Sequence, residues 1–128
     1  MQIERACFGP DAHTPALFRE WRATDGSVFL VARVGRLIAG YALGFGSEGA
    51  GEIISIAVAP AFQGTGVGGA LMKSLLERLG AAGARRVELM VRRANAPAIR
   101  FYRAFGFRRV RRVANYYEDG GDGWLMRK

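Results

Sequence analysis

The stretch QGTGVGG, residues 63–69, places four glycines between a β-like run and a helical run. The β-like run is EIISIAV, residues 52–58, and from Val67 onward leucines recur at the spacing of one helix face. Glycine has no side chain, so a glycine-rich backbone can approach a ligand closely. Because the N–H groups at a helix N-terminus carry partial positive charge, this turn predicts an anion-binding site.

The rest of the chain alternates β-like and helix-like runs with short glycine and proline breaks, which predicts an α/β fold. At 128 residues, the chain is long enough for one domain and one core. Residues 28–34 and 36–45 predict an antiparallel hairpin around Gly35, and a helix from Val67 ends at Gly83. The other predicted strands are 3–7, 52–58, 85–91, 107–118 and 123–128, and the other predicted helices are 10–23 and 96–105.

A net charge of +8 favours an acidic partner, which can be a nucleic acid, an anionic cofactor or an acidic protein surface. Cys7 is the only cysteine, so an intramolecular disulfide is excluded, and we interpret it as a small hydrophobe. The N-terminus lacks the apolar stretch of a signal peptide or membrane span, so we expect a cytoplasmic protein with no membrane partner. His13 has no partners at ligand spacing, so no metal is expected.

Two common phosphate-binding motifs do not fit the glycine-rich turn. A Walker motif needs lysine directly after its last glycine, whereas Ala70 stands there and Lys73 comes almost a turn later. The glycines also spell G-x-G-x-x-G, but APAFQ separates them from the strand, where a dinucleotide-binding turn is tight. Glu88 stands at the interval of the acidic residue in that motif, but it lies inside a predicted strand, and the roughly 40 residues after it cannot complete a dinucleotide-binding fold.

The motif Q-x-x-G-x-G at a helix N-terminus, here Gln63 to Gly68, resembles the loop of the GNAT family of acetyl-coenzyme A-dependent N-acetyltransferases. The resemblance covers the whole chain. It is strongest from Glu52 to Phe107, where a strand ending IAV-x-P, the loop, a helix, a strand, Asn95 and AIRFYRAFGF follow one another. It implies one GNAT domain over residues 1–128, with a mixed central sheet of six or seven strands flanked by three or four helices. It also implies transfer of an acetyl group from acetyl-CoA to a primary amine through a ternary complex.

The resemblance also implies a set of cofactor-binding residues. The loop would hold the pyrophosphate, the pantetheine arm would pair with the end of strand 52–58, and the Val58 N–H would stabilise the oxyanion. Asn95 matches a residue that bonds the cofactor in relatives, and it is equally suited to be a helix N-cap. The implied set is Ile56, Ala57, Val58, Gln63, Gly64, Thr65, Gly66, Val67, Gly68, Gly69 and Asn95.

Tyr102 lies seven residues after Asn95, the interval that in the family separates the cofactor-binding asparagine from the tyrosine that protonates the leaving thiolate. Seven residues are two helical turns, so both side chains share one face. A phenol with a pKa near 10 is closely matched to a thiolate with a pKa of about 8.5–10. Phe101 and Phe105 are the expected core anchors of this helix.

The general base is less defined. Glu52 stands where some histone-type relatives carry a catalytic glutamate, although a solvated carboxylate at a strand start is the alternative. Bacterial ribosomal-protein alanine N-acetyltransferases, which the tail also resembles, place a glutamate five residues before the asparagine, where this chain has Met90. Glu88 is two residues from that place and does not inherit the role. The base stays open between Glu52, another group and water.

Tyr116 and Tyr117 stand where relatives form the wall of the acceptor site, although an exposed turn is the alternative. The acidic residues that follow them would attract a cationic amine. At pH 7, neutralising an α-amine costs about 1–1.4 kcal/mol, against about 4.6 kcal/mol for a lysine. We therefore expect a protein N-terminal amine or a small-molecule amine as acceptor, with a protein lysine as the alternative. A homodimer stays open.

The arginines provide an alternative function, a basic RNA- or ribosome-binding module. Paired arginines in strands project to opposite faces, and the aromatic-basic signature of an RNA-binding sheet is missing. We therefore do not expect nucleic acid as the main ligand. The arginines concerned are Arg85, Arg86, Arg92, Arg93, Arg108, Arg109, Arg111 and Arg112.

Overall fold

The structure is a computed structural model that describes residues 26–47 and 49–128. The predicted strand 3–7 and helix 10–23, together with Cys7 and His13, lie outside the described residues. The chain forms two compact units, residues 1–85 and residues 86–128.

The described part of the first unit is an antiparallel three-stranded sheet with one α-helix. Strands β1 (Ser27–Val34) and β2 (Leu37–Ser47) form the predicted hairpin, and β3 (Ala50–Val58) pairs with β2. After a short 3-10 helix, Pro60–Phe62, helix α1 runs over Val67–Ala81. The predicted hairpin, third strand and long helix are confirmed.

Helix α1 packs closely on β2 because glycines on that face of the strand leave room for it. A Cβ added to Gly44 would lie 2.9 Å from the backbone oxygen of Glu52 and 3.2 Å from the Cδ1 atom of Leu75. Such distances leave no space for a side chain. The buried residues of α1 are Leu71, Met72, Leu75 and Leu79, as the leucine spacing predicts.

A β-bulge interrupts β3. Leu43 of β2 pairs with Ser55, while the next residue of β2 pairs two positions earlier, so Ile54 is the extra residue. The bulge changes the alternation of side chains along the strand. As a result, Glu52 lies on the sheet face opposite to that of Val58.

In the second unit, β6 (Gly123–Arg127) lies between β4 (Arg86–Arg92) and β5 (Arg108–Val113) and pairs antiparallel with both. Helix α2 (Ala96–Ala104) connects β4 to β5. Alternate residues of β4 are buried, as expected for a strand with one face in the core. The buried side chains of this unit include Val87, Leu89, Val91, Phe107 and Met126.

Two predictions for the second unit are wrong. The strand predicted over 107–118 ends at Val113, because Asn115 adopts a left-handed backbone conformation with a φ of 54° and the chain turns away. No residue of α2 is buried, so Phe101 and Phe105 are not core anchors. Gly106, with a φ of 94°, ends the helix and redirects the chain, so that Phe107 enters the core with only 1% of its surface exposed.

Candidate functional site

The glycine-rich turn, residues 63–69, leaves the N-terminus of α1 accessible. Gly64 and Gly66 have left-handed φ angles of 79° and 90°, and a Cβ on either would meet no atom within 4 Å. Gly66 is the N-cap of α1, and no acidic residue follows in the first turn. The partial positive charge of the first N–H groups is therefore not neutralised by the helix itself. This arrangement fits an anionic group such as a pyrophosphate.

Two side chains fasten this turn to the protein. Gln63 Nε2 donates a hydrogen bond to the Val58 backbone oxygen at 3.1 Å, which ties the turn to the end of β3. The Thr65 hydroxyl donates to the Phe62 backbone oxygen, which also accepts the Thr65 N–H at 3.3 Å. The conformation of the turn is therefore established by protein contacts, which lowers the entropic cost of binding a ligand.

Glu52 lies near the start of β3, and its side chain is exposed. Its face of the sheet also carries Tyr41, whose hydroxyl lies 3.2 Å from the Ser55 hydroxyl in a buried pair. The bulge at Ile54 thus separates the Glu52 face from the Val58 face. At the end of the strand, Ala57 is buried and its two neighbours, Ile56 and Val58, are half-buried.

Asn95 caps helix α2, because its Oδ1 accepts the N–H of Ala98 at 3.2 Å. The predicted N-cap role is confirmed. Within the described part of the chain, no hydrogen bond engages the side-chain nitrogen of Asn95. That N–H₂ group is available to donate to a ligand.

Tyr102 lies two turns further along α2, and its half-buried ring packs edge-on against Phe101 and Phe107, with centroid distances of 5.5 and 6.1 Å. Desolvation by burial, with a smaller electrostatic contribution from Tyr117, raises its pKa to about 12. The phenol therefore stays protonated at every pH at which the protein would work. Full proton transfer from such a phenol to a thiolate of pKa about 8.5–10 is uphill by about 3–5 kcal/mol. The close pKa match expected from the sequence is wrong, and a strong hydrogen-bond donor is the role that fits.

Residues 114–122, here called the tyrosine loop, are held by Arg92 at the end of β4. The guanidinium of Arg92 lies 4.2 Å from the centre of the Tyr117 ring, and its Nη1 donates to Asp119 Oδ1 at 3.2 Å. The Gly121 N–H donates to the same carboxylate at 2.9 Å. That N–H, followed by Arg92, holds the pKa of Asp119 below its ordinary value.

Asp122 anchors the other end of the tyrosine loop. Its carboxylate accepts the Asn115 N–H at 3.0 Å and forms long ion pairs with Arg93 and Arg112, at 3.7 and 3.8 Å. An open cleft of about 450 Å³ lies beside the loop, and the residues that line it are Arg92, Arg93, Ala94, Gly120, Gly121 and Asp122. Asp119 and Asp122 thus have structural partners, whereas sequence alone suggested that acidic residues of this segment attract the acceptor.

Glu88 is bound by two arginines, Arg127 at 3.0 Å and Arg86 at 3.3 Å. The Oε1 atom of this carboxylate is therefore committed to two ion pairs within the protein. Met90 occupies the place where ribosomal-protein alanine N-acetyltransferases are expected to carry their glutamate. Strand β4 therefore offers no uncommitted carboxylate as a general base.

Comparison with known proteins decides the family. The model of the acetyltransferase (GNAT) family matches residues 1–107. The chain belongs to the GNAT family. It is therefore an acetyltransferase, and GNAT enzymes use acetyl-CoA as cosubstrate.

Individual GNAT proteins resemble the chain over nearly its whole length. The N-alpha-acetyltransferase RimI of Mycobacterium tuberculosis is 36% identical, with 99% of this chain and 82% of RimI covered. The crystal structure of Ard1 from Thermoplasma volcanium has a TM-score of 0.88 and 31% identity, and covers 99% of this chain and 86% of Ard1. The ribosomal-protein-S18-alanine N-acetyltransferase of Escherichia coli has a TM-score of 0.87 and 26% identity, over 98% and 82% of the two chains. The predicted α/β fold is thereby confirmed, with six strands and two α-helices among the described residues.

Residues 63–69 form an accessible turn at the N-terminus of α1, and their role as the cofactor loop stays a prediction. In the second unit, Tyr102 interacts electrostatically with Tyr117. The role of Arg92 and Asp122 in anchoring the tyrosine loop was not predicted, because the sequence does not show which arginine contacts which loop. The described residues contain no group of three or more His, Cys, Asp or Glu side chains able to hold a metal ion. None of the helices in that part of the chain is long and apolar enough to cross a membrane.

The first prediction compares Gly66→Asp with Gly66→Ala. Both variants strain the left-handed backbone by about 1–2 kcal/mol, and Asp is the better N-cap, so the helix itself does not suffer more from Asp. We expect acetyl-CoA to bind at least tenfold more weakly to Gly66→Asp than to Gly66→Ala, because only the carboxylate repels the pyrophosphate. Isothermal titration calorimetry measures the difference. Equal affinities in the two variants would exclude this helix N-terminus as the phosphate site.

The second prediction concerns the pKa of Tyr102, which is raised from 10.0 to about 12. A raised folded-state pKa contributes stability that is fully present below about pH 10 and is lost as the pH rises toward 12. Tyrosinate absorbance, read after a rapid pH jump and before unfolding, should show a component near pH 12 that disappears in Tyr102→Phe. Replacing the exposed Tyr116 by Phe should leave that component in place. Its persistence in Tyr102→Phe would show that another tyrosine is the desolvated one.

Proposed function

We propose that this enzyme acetylates the N-terminal α-amine of a protein or peptide. The observation that carries the proposal is the likeness to the N-alpha-acetyltransferase RimI over nearly the whole chain. The tyrosine loop supports it, because Arg92 and Asp122 anchor the segment that carries Tyr116 and Tyr117, where relatives form the acceptor wall. Tyr116 is 51% exposed and therefore accessible to an acceptor.

The shortage of a strong base also favours an α-amine. Glu88 is paired with two arginines, and Met90 has no titratable group. At pH 7, an α-amine loses its proton at a cost of about 1–1.4 kcal/mol, whereas a lysine needs about 4.6 kcal/mol. An enzyme with a weak base therefore gains more from the acceptor that is already partly neutral.

Each matching residue takes a role in this proposal. Acetyl-CoA, when bound, supplies the activated acetyl thioester. The glycine-rich turn binds its pyrophosphate, the strand end Ile56–Val58 pairs with its pantetheine arm, and the side-chain nitrogen of Asn95 donates a hydrogen bond to it. The Val58 N–H stabilises negative charge on the carbonyl oxygen. Tyr102 donates its O–H to the leaving sulfur, and Glu52 accepts the amine proton, directly or through water.

The proposed acceptor is tested with two matched peptides. One has a free N-terminal alanine and no lysine, and the other has the same sequence with a blocked N-terminus and one lysine. At pH 7 we expect kcat/KM to be at least about a hundredfold higher for the first, given the difference in the cost of deprotonation. A higher kcat/KM for the lysine peptide would make the chain a lysine acetyltransferase. Acetylation of polyamines or aminoglycosides in preference to both peptides would replace the proposal with a small-molecule acceptor.

The role of Glu52 predicts a pH-dependent defect. Glu52→Gln should lower kcat mostly below about pH 8 and much less above it, because free amine becomes abundant as the pH rises. Glu77→Gln, which removes another exposed carboxylate of the same unit, is the matched control and should show a normal profile. A uniform loss at all pH values, or none, would make Glu52 a structural residue.

Tyr102→Phe should lower kcat by at least tenfold, since general acids and comparable donors contribute about 10²–10⁴-fold. Acetyl-CoA affinity and the melting temperature should stay nearly unchanged, because the ring and its packing against Phe107 are retained. The measurement needs conditions in which chemistry, and not product release, limits turnover. Full turnover in the variant would assign the role to another group or to water.

A further inference from the structure

The positive charge of this chain is concentrated in its second unit. Residues 86–128 carry eleven basic and four acidic side chains, so this unit holds seven of the eight net charges. Residues 1–85 carry eight basic and seven acidic side chains and are close to neutral. The excess charge therefore belongs to one part of the molecule and needs a local explanation.

The acidic residues of the second unit neutralise only some of its arginines. Glu88 pairs with Arg86 and Arg127, Asp119 pairs with Arg92, and Asp122 pairs with Arg93 and Arg112. Among the described residues, no ion pair reaches the cations at the end of α2 and the start of β5. Those cations are Arg103, Arg108, Arg109 and Arg111.

Most of these unneutralised cations surround one cleft. Arg103, Arg108 and Arg109, together with Gly106 and Phe107, line an open cavity of about 520 Å³. The Lys128 side chain also lies there, since its Nζ would be 3.7 Å from a Cβ on Gly106. Arg109 stacks on Trp124 at 5.0 Å, which orders its guanidinium and leaves its N–H groups able to bind a phosphate. We use the name basic cleft for Arg103, Arg108, Arg109 and Lys128 together with Arg111, an exposed cation further along β5 that does not itself line the cavity.

The strand that carries this cleft is poorly suited to pair with another strand. β5 pairs with β6 on one side, and a bulge between Arg109 and Arg111 leaves Val110 outside the ladder. Bulges and charged side chains at a sheet edge oppose strand addition. The arginines of β5 are sufficient to oppose the addition of another strand. Arg103 and Lys128 lie outside β5, so protection of the sheet edge does not explain their presence. A ligand that reads side chains, and not the strand edge, explains the whole set.

We propose that the basic cleft docks the enzyme onto the phosphate backbone of structured RNA. None of the residues that line the cleft is a large exposed hydrophobic residue, and β5 carries only one, Val110, so the cleft lacks the exposed apolar anchors of a protein–protein interface. Interfaces with nucleic acid are instead polar and strongly positive. The choice of RNA rests on the proposed function, because a structural relative acts on a ribosomal protein, and the ribosome presents RNA phosphates around its proteins.

The test measures binding of a short RNA hairpin to the full chain as salt concentration is varied. About four phosphate contacts predict a log–log salt slope of about −3.6, taking about 0.9 per contact with a duplex. Arg108→Gln/Arg111→Gln should weaken RNA binding at least tenfold and reduce the magnitude of the slope by about 1.8. Arg33→Gln/Arg36→Gln removes the same charge from exposed positions of the first unit and should change affinity less than threefold. If both double variants lose the same amount of RNA affinity, binding depends only on net charge and the proposal is overturned.

Three further arms identify the ligand. A DNA duplex or an acidic peptide that binds as tightly as the RNA hairpin at the same salt would overturn the assignment to RNA. Displacement of RNA by saturating acetyl-CoA would assign these cations to the cofactor phosphates instead. Arg108→Lys/Arg111→Lys should recover most of the binding, and all variants should keep the wild-type melting temperature and turnover on a free peptide. If wild-type enzyme binds RNA but acetylates no peptide, the proposed function fails and the basic cleft stands.

Discussion

The close packing of α1 on the glycine-lined face of β2 is the constraint on which the first unit depends. Gly44 has no room for a side chain, so the helix axis lies nearer to the sheet than ordinary residues would allow. The four buried residues of α1 then fix its rotation. Because the helix is fixed, so is the direction in which its first N–H groups point. The anion site is therefore a consequence of sheet packing, and the glycines of residues 63–69 only keep the approach to it clear.

Much of this architecture could be predicted from the sequence. Helical periodicity located α1, and the β-branched and aromatic runs beside Gly35 and before the glycine-rich turn located the hairpin and the third strand. The resemblance located the loop and Asn95, whose capping oxygen is as expected. Predictions failed where one backbone angle decides the path. Asn115 ends β5 early and Gly106 puts Phe107 into the core in place of Phe105. Neither backbone conformation produces a periodic pattern in the sequence.

The candidate site shows a second kind of limit. Glu52 and Val58 are six positions apart, which in a regular strand puts both on one face, yet the extra residue Ile54 places them on opposite faces. Likewise, the pKa of Tyr102 depends on how deeply its ring is packed, and this cannot be predicted from the spacing of residues in the sequence. The types of residue indicated the reaction class. The protonation state of each group depends on its surroundings in the folded protein, which the sequence does not show. For the proposed reaction, the protonated state of Tyr102 is the one that a hydrogen-bond donor to the leaving sulfur requires.

The anchoring of the tyrosine loop has a consequence for evolution and engineering. Arg92 contacts the Tyr117 ring and the Asp119 carboxylate of this loop, and Asp122 pairs with Arg93, directly after β4, and with Arg112 of β5. These anchors leave Tyr116 and Glu118 outside them. The exposed residues of the loop can therefore be replaced while its anchoring contacts stay the same. Evolution or protein design can change the exposed positions to alter the choice of acceptor. The contacts of Arg92 and Asp122 would hold the new loop in the same position.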